Sequence, residues 1–471
     1  MVRVTLTALD WAVLVLFALG CAAAVFSARR RSSSVLEFLT AGRSLSLPAF
    51  VATLVSTWYG GILGIAESTS YYGVGTWLVM GVPYYVFGLV YAIFLAPKVR
   101  NNEQISIPAR FETRYGKGPA LAAAILIFLL AVPAAHMLML SVLAQSLTGI
   151  STVAAMVIVP LVVTAVLFRS GFLADVRLGF VAFLLMYVGF FTAFGAEVAK
   201  TSLPDVIRAL PAEQQTATGG LSWISIFSFF VLGLWTIVDP GFYQRVVSAK
   251  SPQVAQKGVV VSVLCWAVFD FFSISCAIYA LRAASSMGNV EPLYLFSALA
   301  ENSIAPGVRG LFVVGILGTI LSACCGYALV AAGTLGSEIL PRLGVNKPPE
   351  KATRWGVLVS CLVAVPIALA AGSSVVNLWY GWAGAVVGAL LIPFLLSYLS
   401  GVKLHPSALT VAVLVPCLVS ISWMVYAVRS GNPYMMIKLG GNEFSLGTVA
   451  PALILSVIFT GFSRIISKEQ T

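Results

Sequence analysis

Apolar runs of about 20 residues recur from one end of this 471-residue chain to the other, and each is long enough to cross a hydrocarbon layer of roughly 30 Å as a helix. No other feature narrows the possible folds so far. One such run can be the buried helix of a soluble domain. A whole series of them leaves no polar surface from which a soluble domain could be built. Inside hydrocarbon the backbone must satisfy its own hydrogen bonds, so these runs are expected as helices. Charge agrees, since only 10% of the residues are Asp, Glu, Lys or Arg, against about 25% in a soluble domain.

Thirteen crossings are expected, near 11–28, 46–72, 76–97, 120–147, 151–169, 176–197, 222–239, 258–281, 307–332, 354–372, 376–399, 406–428 and 446–466. The segments between them alternate in charge. One set holds 21 of the 28 Lys and Arg residues, including Arg29, Arg30, Arg31, Arg43, Lys98, Arg100, Arg169, Arg245 and Arg342, and the alternate set holds 7. Basic residues favour the cytoplasmic side, so the N-terminus is expected outside and the C-terminus inside a cell membrane. Arg29, Arg30 and Arg31 follow the first apolar run, whereas a cleaved signal peptide carries its charge in front, so that helix is expected to be retained. The net charge of +11 thus reads as topology, not as nucleic-acid binding. The seven cysteines and two histidines show no metal-ligand pattern, and no cofactor is expected. The expected partners are the lipid bilayer and a small-molecule solute, with no nucleic acid and no obligate protein partner.

A carrier needs backbone that is free to hold a solute at mid-membrane, and such sites sit where a helix is broken. The segment 46–72 carries Ser56-Thr57-Trp58-Tyr59-Gly60-Gly61 at its middle, and the segment 222–239 carries Gly233 and ends in Asp239-Pro240-Gly241. A single glycine serves close helix packing just as well. The pairing carries more information. The two segments open consecutive five-helix blocks, 46–197 and 222–399, and an odd number of crossings makes the second block enter from the opposite side. The expected architecture is therefore an all-α polytopic membrane protein of about 13 transmembrane helices with a 5+5 inverted-repeat core over 46–399. Residues 1–45 add a helix and a loop, and 400–471 add two C-terminal helices. No ATP-binding loop, paired catalytic carboxylates or nucleophile–base set is present in the sequence, so an enzyme or a primary pump is not expected. A channel would need a repeated filter motif, and none is found.

Four motifs point to one family. Glu37-Phe38-Leu39-Thr40-Ala41-Gly42-Arg43-Ser44-Leu45 resembles the "F-x-x-A-G-R-S-L" entry to the first core helix of the sodium:solute symporters. Ser106-Ile107-Pro108 with Arg114-Tyr115-Gly116 is similar to that family's "IPE…RYG" loop. Asp239-Pro240-Gly241-Phe242-Tyr243-Gln244-Arg245 with Ala249-Lys250 resembles "P-x-x-x-Q-R-x-x-x-A-K". Gly315 through Leu340 resembles the Ser/Thr-rich eighth core helix with its acidic exit. The resemblance spans roughly 35–400. It implies a LeuT-type inverted repeat and a secondary active transporter, in which a small organic solute (sugar, amino acid, carboxylate or vitamin) crosses with sodium by alternating access.

The resemblance also implies sites. Sodium, a hard cation that prefers oxygen ligands, would take backbone carbonyls of Leu54, Thr57 and Thr319 and the hydroxyl of Ser322. Ala323 stands where the family has a second hydroxyl and supplies none. Gly179 and Ala182 stand where an Asp and a Gln are common, so a second cation site there is not expected. These departures keep a sodium-independent or proton-coupled carrier open as an alternative. A solute sensor on the same fold is another; sensors usually carry an appended soluble domain, and the tail here ends shortly after Arg464. Solute contacts are expected from Trp58, Tyr59, Gly60 and Gly61 at the first break, from Glu67 beyond it, and from Gly233 and Trp235 at the second. Trp379 and Trp382 are expected to pack in the core. Asp270 lies mid-helix, where a carboxylate costs on the order of 3 kcal/mol or more unless it is paired, protonated or wet. A bond to a neighbouring helix is the plain alternative to a role in transport.

Overall fold

Each of the thirteen expected segments is helical in the computed structural model, which describes all residues except 29–33, 169–170, 346, 371–373, 431–435, 440–441, 446 and 470–471. The expected basic residues Arg29, Arg30, Arg31 and Arg169 fall outside the described residues. In chain order the segments are α1 (Ala8–Ser27), α2 (Leu47–Gly75), α3 (Trp77–Phe94), α4 (Lys117–Thr148), α5 (Thr152–Leu167), α6 (Phe172–Val198), α7 (Trp223–Val238 with Pro240–Ser248), α8 (Pro252–Ser285), α9 (Val308–Arg342), α10 (Pro349–Ala370), α11 (Val375–Ser397), α12 (Pro406–Arg429) and α13 (Val449–Lys468). By length and composition alone fewer than thirteen of them qualify as crossings, so the exact count of thirteen is not confirmed. Among the described residues eleven are long and apolar enough, and the bent pair that forms α7 makes twelve. The remaining segment, α5, has 16 residues, or about 24 Å at 1.5 Å per residue, short of the hydrocarbon thickness.

Local chemistry sets many of the helix starts. Thr7 and Asp10 form a reciprocal capping box at α1, and Ser151 and Ser251 cap α5 and α8 through their side chains, each satisfying an amide that has no partner within its helix. The polar stretches contain short helices such as Ile107–Tyr115 and Leu203–Arg208. Between α12 and α13, Met436–Leu439 pairs antiparallel with Asn442–Ser445.

Packing sorts the helices into centre and rim. α2 and α9 are mostly buried, whereas α1, α12 and α13 show apolar side chains outward, with Leu16 at 67% and Leu418 at 61% exposure, the pattern of faces that meet lipid. α6 and α9 cross at backbone contact. A Cβ on Gly189 would stand 2.4 Å from the Leu311 carbonyl oxygen, and one on Gly315 would stand 2.9 Å from that of Leu185. Small residues are what allow this approach in a membrane bundle, where dispersion packing replaces the hydrophobic drive.

Within each of the two charge classes of loops, described segments are bonded to one another. In the basic class Arg43 donates to the carbonyls of Asn102 at 2.6 Å and Val247 at 3.1 Å. Arg114 donates to that of Leu399 at 2.7 Å, and Arg342 pairs with Glu338 at 2.6 Å and with Glu112. In the other class Arg3 reaches the Thr148 carbonyl at 3.3 Å, Gln214 that of Ser70 at 2.9 Å, and Lys200 pairs with Glu197 at 2.9 Å. All of these bonds join segments that the charge pattern assigns to one side.

Candidate functional site

Both expected breaks are present. In α2 the α-helix Leu47–Trp58 gives way to a 3₁₀ turn, Tyr59–Gly61, before Ile62–Tyr72 resumes. The two glycines let neighbouring helices press against this turn. A Cβ on Gly60 would lie 1.9 Å from the Ala323 Cβ of α9, and one on Gly61 would lie 2.4 Å from the Trp379 ring of α11. In α7 the helix stops at Leu232 and restarts at Trp235, and the chain turns extended at Asp239 before Pro240–Ser248, a bend of 41°. Asp239 caps that last piece, accepting from the Phe242 amide at 2.6 Å, and Pro240 at the first helical position has no N–H to leave unsatisfied.

The two breaks meet through charge and rings. Arg245, counted from sequence among the loop cations, is fully buried instead. Its guanidinium pairs with Asp175 of α6 at 2.7 Å and donates to the Thr57 hydroxyl at 2.8 Å. Burial forces this pairing, because a lone guanidinium in a low-dielectric interior is far costlier than a bonded one. Asp239 accepts from the Trp235 indole at 2.9 Å and from the Tyr327 hydroxyl at 2.7 Å. Trp58 packs edge-on to Phe242 and stacks on Trp266 at 5.0 Å.

A cavity of about 130 Å³ opens at this junction. Thr57, Trp58, Tyr59 and Gly61 from the first break line it, with Trp235 from the second. So does Asp270, which accepts from Tyr85 and is 2% exposed. Trp379 and Trp382, expected only as packing, line it too, as do Trp266, Tyr84 and His136, the last stacked on Tyr327 at 5.0 Å.

Other expected contacts lie elsewhere. Glu67 is buried outside the cavity lining and accepts from the amides of Val375 at 3.0 Å and Val376 at 3.2 Å and from the Ser374 hydroxyl. It is the remote cap of α11, a use of its charge set by the free amides of a helix start. Gly233 is a packing position against α3, where a Cβ would lie 2.6 Å from Pro83, and Gly60 contacts α9 and not the cavity.

The residues assigned to sodium, Leu54, Thr57, Thr319, Ser322 and Ala323, are all buried. Ser322 of α9 shares a hydrogen bond of 3.2 Å with Ser56 of α2, and the Thr319 hydroxyl donates to the Ile316 carbonyl at 2.9 Å. Ser56, which the motif comparison passes over, thus supplies a second hydroxyl beside Ser322. The Thr53 hydroxyl is buried without a partner. A Cβ on Gly179 of α6 would lie 3.0 Å from the Ser56 oxygen and 3.2 Å from that of Thr53. Oxygens of Thr53, Ser56 and Ser322 therefore gather at the α2–α9 contact beside a residue without a side chain, a donor set of the kind a hard cation takes.

The family model for "SSF: Sodium:solute symporter family" matches residues 38–400. A sodium/proline symporter of Staphylococcus aureus is 26% identical over 335 residues, 62% of this chain and 63% of that protein, so the match spans just under two thirds of the relative's length. Among solved structures, a Na⁺-coupled sialic acid symporter in a substrate-bound outward-open state superposes with a TM-score of 0.76 at 14% identity, over 98% of each chain; at that identity the likeness speaks for the fold. With the family model covering the two broken helices, the cavity and the hydroxyl cluster, this multi-pass membrane protein belongs to the sodium:solute symporter family.

Proposed function

We propose that this chain is a secondary active transporter that couples the entry of a small organic solute to sodium by alternating access. One observation carries the reading: a solute-sized cavity opens where two broken helices meet, and a cluster of buried hydroxyls stands beside it between α2 and α9. Free energy reaches the solute only if the two occupancies are linked, and both sites share α2. The carbonyls of Leu54, Thr57 and Thr319 and the hydroxyl of Ser322 are the sodium ligands in this reading, with Ser56 and Thr53 as added oxygens. Blocks 46–197 and 222–399 are the two inverted repeats, and 1–45 and 400–471 are peripheral. The basic class of loops faces the cytoplasm, which puts the N-terminus outside and the C-terminus inside.

A sodium-independent carrier is the competing reading. Ala323 favours it, and so does Arg245, whose guanidinium sits 2.8 Å from the Thr57 hydroxyl as a fixed positive charge near the proposed ion. Uptake by purified protein in proteoliposomes decides between them. An imposed inward sodium gradient is expected to drive accumulation of solute, and a proton gradient alone is not. Accumulation that ignores sodium overturns the coupling.

A further inference from the structure

Among the described residues, Asp270 is the only acid that lines the cavity, and neither Lys nor Arg lines it. Five tryptophans share the cavity wall with that acid: Trp58, Trp235, Trp266, Trp379 and Trp382. Several polar handles on these walls are already engaged by the protein itself. The Trp235 indole and the Tyr327 hydroxyl donate to Asp239, the Trp382 indole to the Leu129 carbonyl at 3.0 Å, and the Tyr59 hydroxyl to the Trp266 carbonyl at 2.7 Å. The wall is thus largely rings and apolar side chains with one acid, Asp270, and it also carries Thr57, Tyr84 and His136 as polar residues. Behind the wall stand Asp239 and Asp175 against one cation, Arg245, whose two Nη groups donate to Asp175, Thr57, Gln244 and the Gly241 carbonyl.

This chemistry selects by charge and hydration. A polyol would trade its water for a wall made largely of rings and apolar side chains, at a cost for each of its groups left unmet. An anion would meet ring faces, whose quadrupole is negative, and a carboxylate. A weakly hydrated ammonium meets the opposite: aromatic faces attract it, and the carboxylate, which has lone pairs left after the bond from Tyr85, balances its charge. We infer that the solute taken up at this site is an organic cation, a methylated or alkyl-substituted ammonium, with Asp270 as its counter-charge and the tryptophans as its cage. The inference rests on the transport reading above and names the cargo of that same cavity.

Intrinsic tryptophan fluorescence of the purified protein tests it. Titrations use tetramethylammonium and choline as cations, proline as a zwitterion, lactate as an anion and glucose as a neutral polyol. Both cations are expected to quench saturably and to compete with each other. Asp270→Asn is expected to raise their Kd about tenfold or more, and Asp270→Glu to recover much of the loss, with the thermal transition of each variant showing that it is folded. Saturable binding of proline, lactate or glucose in place of the cations overturns the inference, as does an unchanged cation Kd in folded Asp270→Asn. A cation that binds but is not accumulated under a sodium gradient supports the inference and counts against symport. Sodium-driven uptake confined to lactate or glucose supports symport and overturns the inference.

Discussion

Substituting Gly60 by Ala should disable the junction of α2 and α9, and the size of the effect follows from one distance. The new Cβ would lie 1.9 Å from that of Ala323, whereas two carbons rest at about 3.5–4.0 Å. The turn at Tyr59–Gly61 must therefore back away by roughly 2 Å. Ala323 has no rotamer with which to yield, and the next contact is the His136 ring at 3.0 Å. Overpacking costs about 1–3 kcal/mol when side chains can adjust; here the backbone must move, which puts the cost near the top of that range. A penalty of about 3 kcal/mol on the closed junction is roughly a hundredfold in its population. Sodium-driven uptake in proteoliposomes should fall by about two orders of magnitude in Gly60→Ala, with a lower thermal midpoint. The second variant decides the cause. Ala323→Gly removes the opposing carbon, so Gly60→Ala/Ala323→Gly should recover most of the lost transport, while Ala323→Gly alone should change little. Near-normal uptake in Gly60→Ala, or a double variant no better than the single, refutes the contact as the reason for the glycine.

Four further outcomes can be checked. Glu67→Gln weakens the cap on α11 and should cost about 1–2 kcal/mol of stability, read as a lower midpoint with the solute KM unchanged; a raised KM at an unchanged midpoint would return Glu67 to the solute site. Asp175→Asn leaves Arg245 buried without its counter-charge and should cost about 3–5 kcal/mol, whereas Asp175→Asn/Arg245→Gln should cost much less than the two single changes together; strict additivity in denaturation would show that the pair is not coupled. Ser322→Ala should reduce sodium-driven uptake far more than solute exchange at equal sodium, and Ala323→Ser should raise sodium affinity by adding an oxygen to the cluster; identical sodium dependence in both variants and parent would remove the cluster from the ion path. In a background without cysteines, Asp205→Cys should label from outside intact cells and Lys347→Cys only after permeabilisation; labelling of both from one side contradicts the assigned topology.

The fold was open to sequence reading because hydrocarbon imposes length and periodic charge on any chain that crosses it. Apolar runs marked the helices, and the alternation of Lys and Arg grouped the loops that are bonded together. The breaks were legible for a related reason: Gly60, Gly61 and the Asp239-Pro240 step are residues that helical geometry disfavours, so their presence at mid-membrane is a local signal. The count was less secure, since α5 is helical and apolar yet 16 residues long, and hydropathy alone does not measure length against a bilayer.

Partners across helices are what the sequence could not supply. Arg245 reads as one more loop cation, and Asp175 as a residue near a helix start; only the packing of α6 against α7 brings them to 2.7 Å with neither exposed. Ser56 became a candidate oxygen donor through its distance to Ser322, 266 positions away. Glu67 has the composition of a vestibule acid, yet the start of α11 folds over it and claims its oxygens for two amides. Trp379 and Trp382 look like core residues in any apolar run, and the direction in which each ring points depends on how α11 turns relative to α2 and α4. The sequence determined which segments lie in the membrane and where they must bend, because those properties depend on a residue and its near neighbours in the chain. The tertiary structure decided which oxygens, charges and rings face one another, because burial makes each polar group's energy depend on whatever the fold sets beside it.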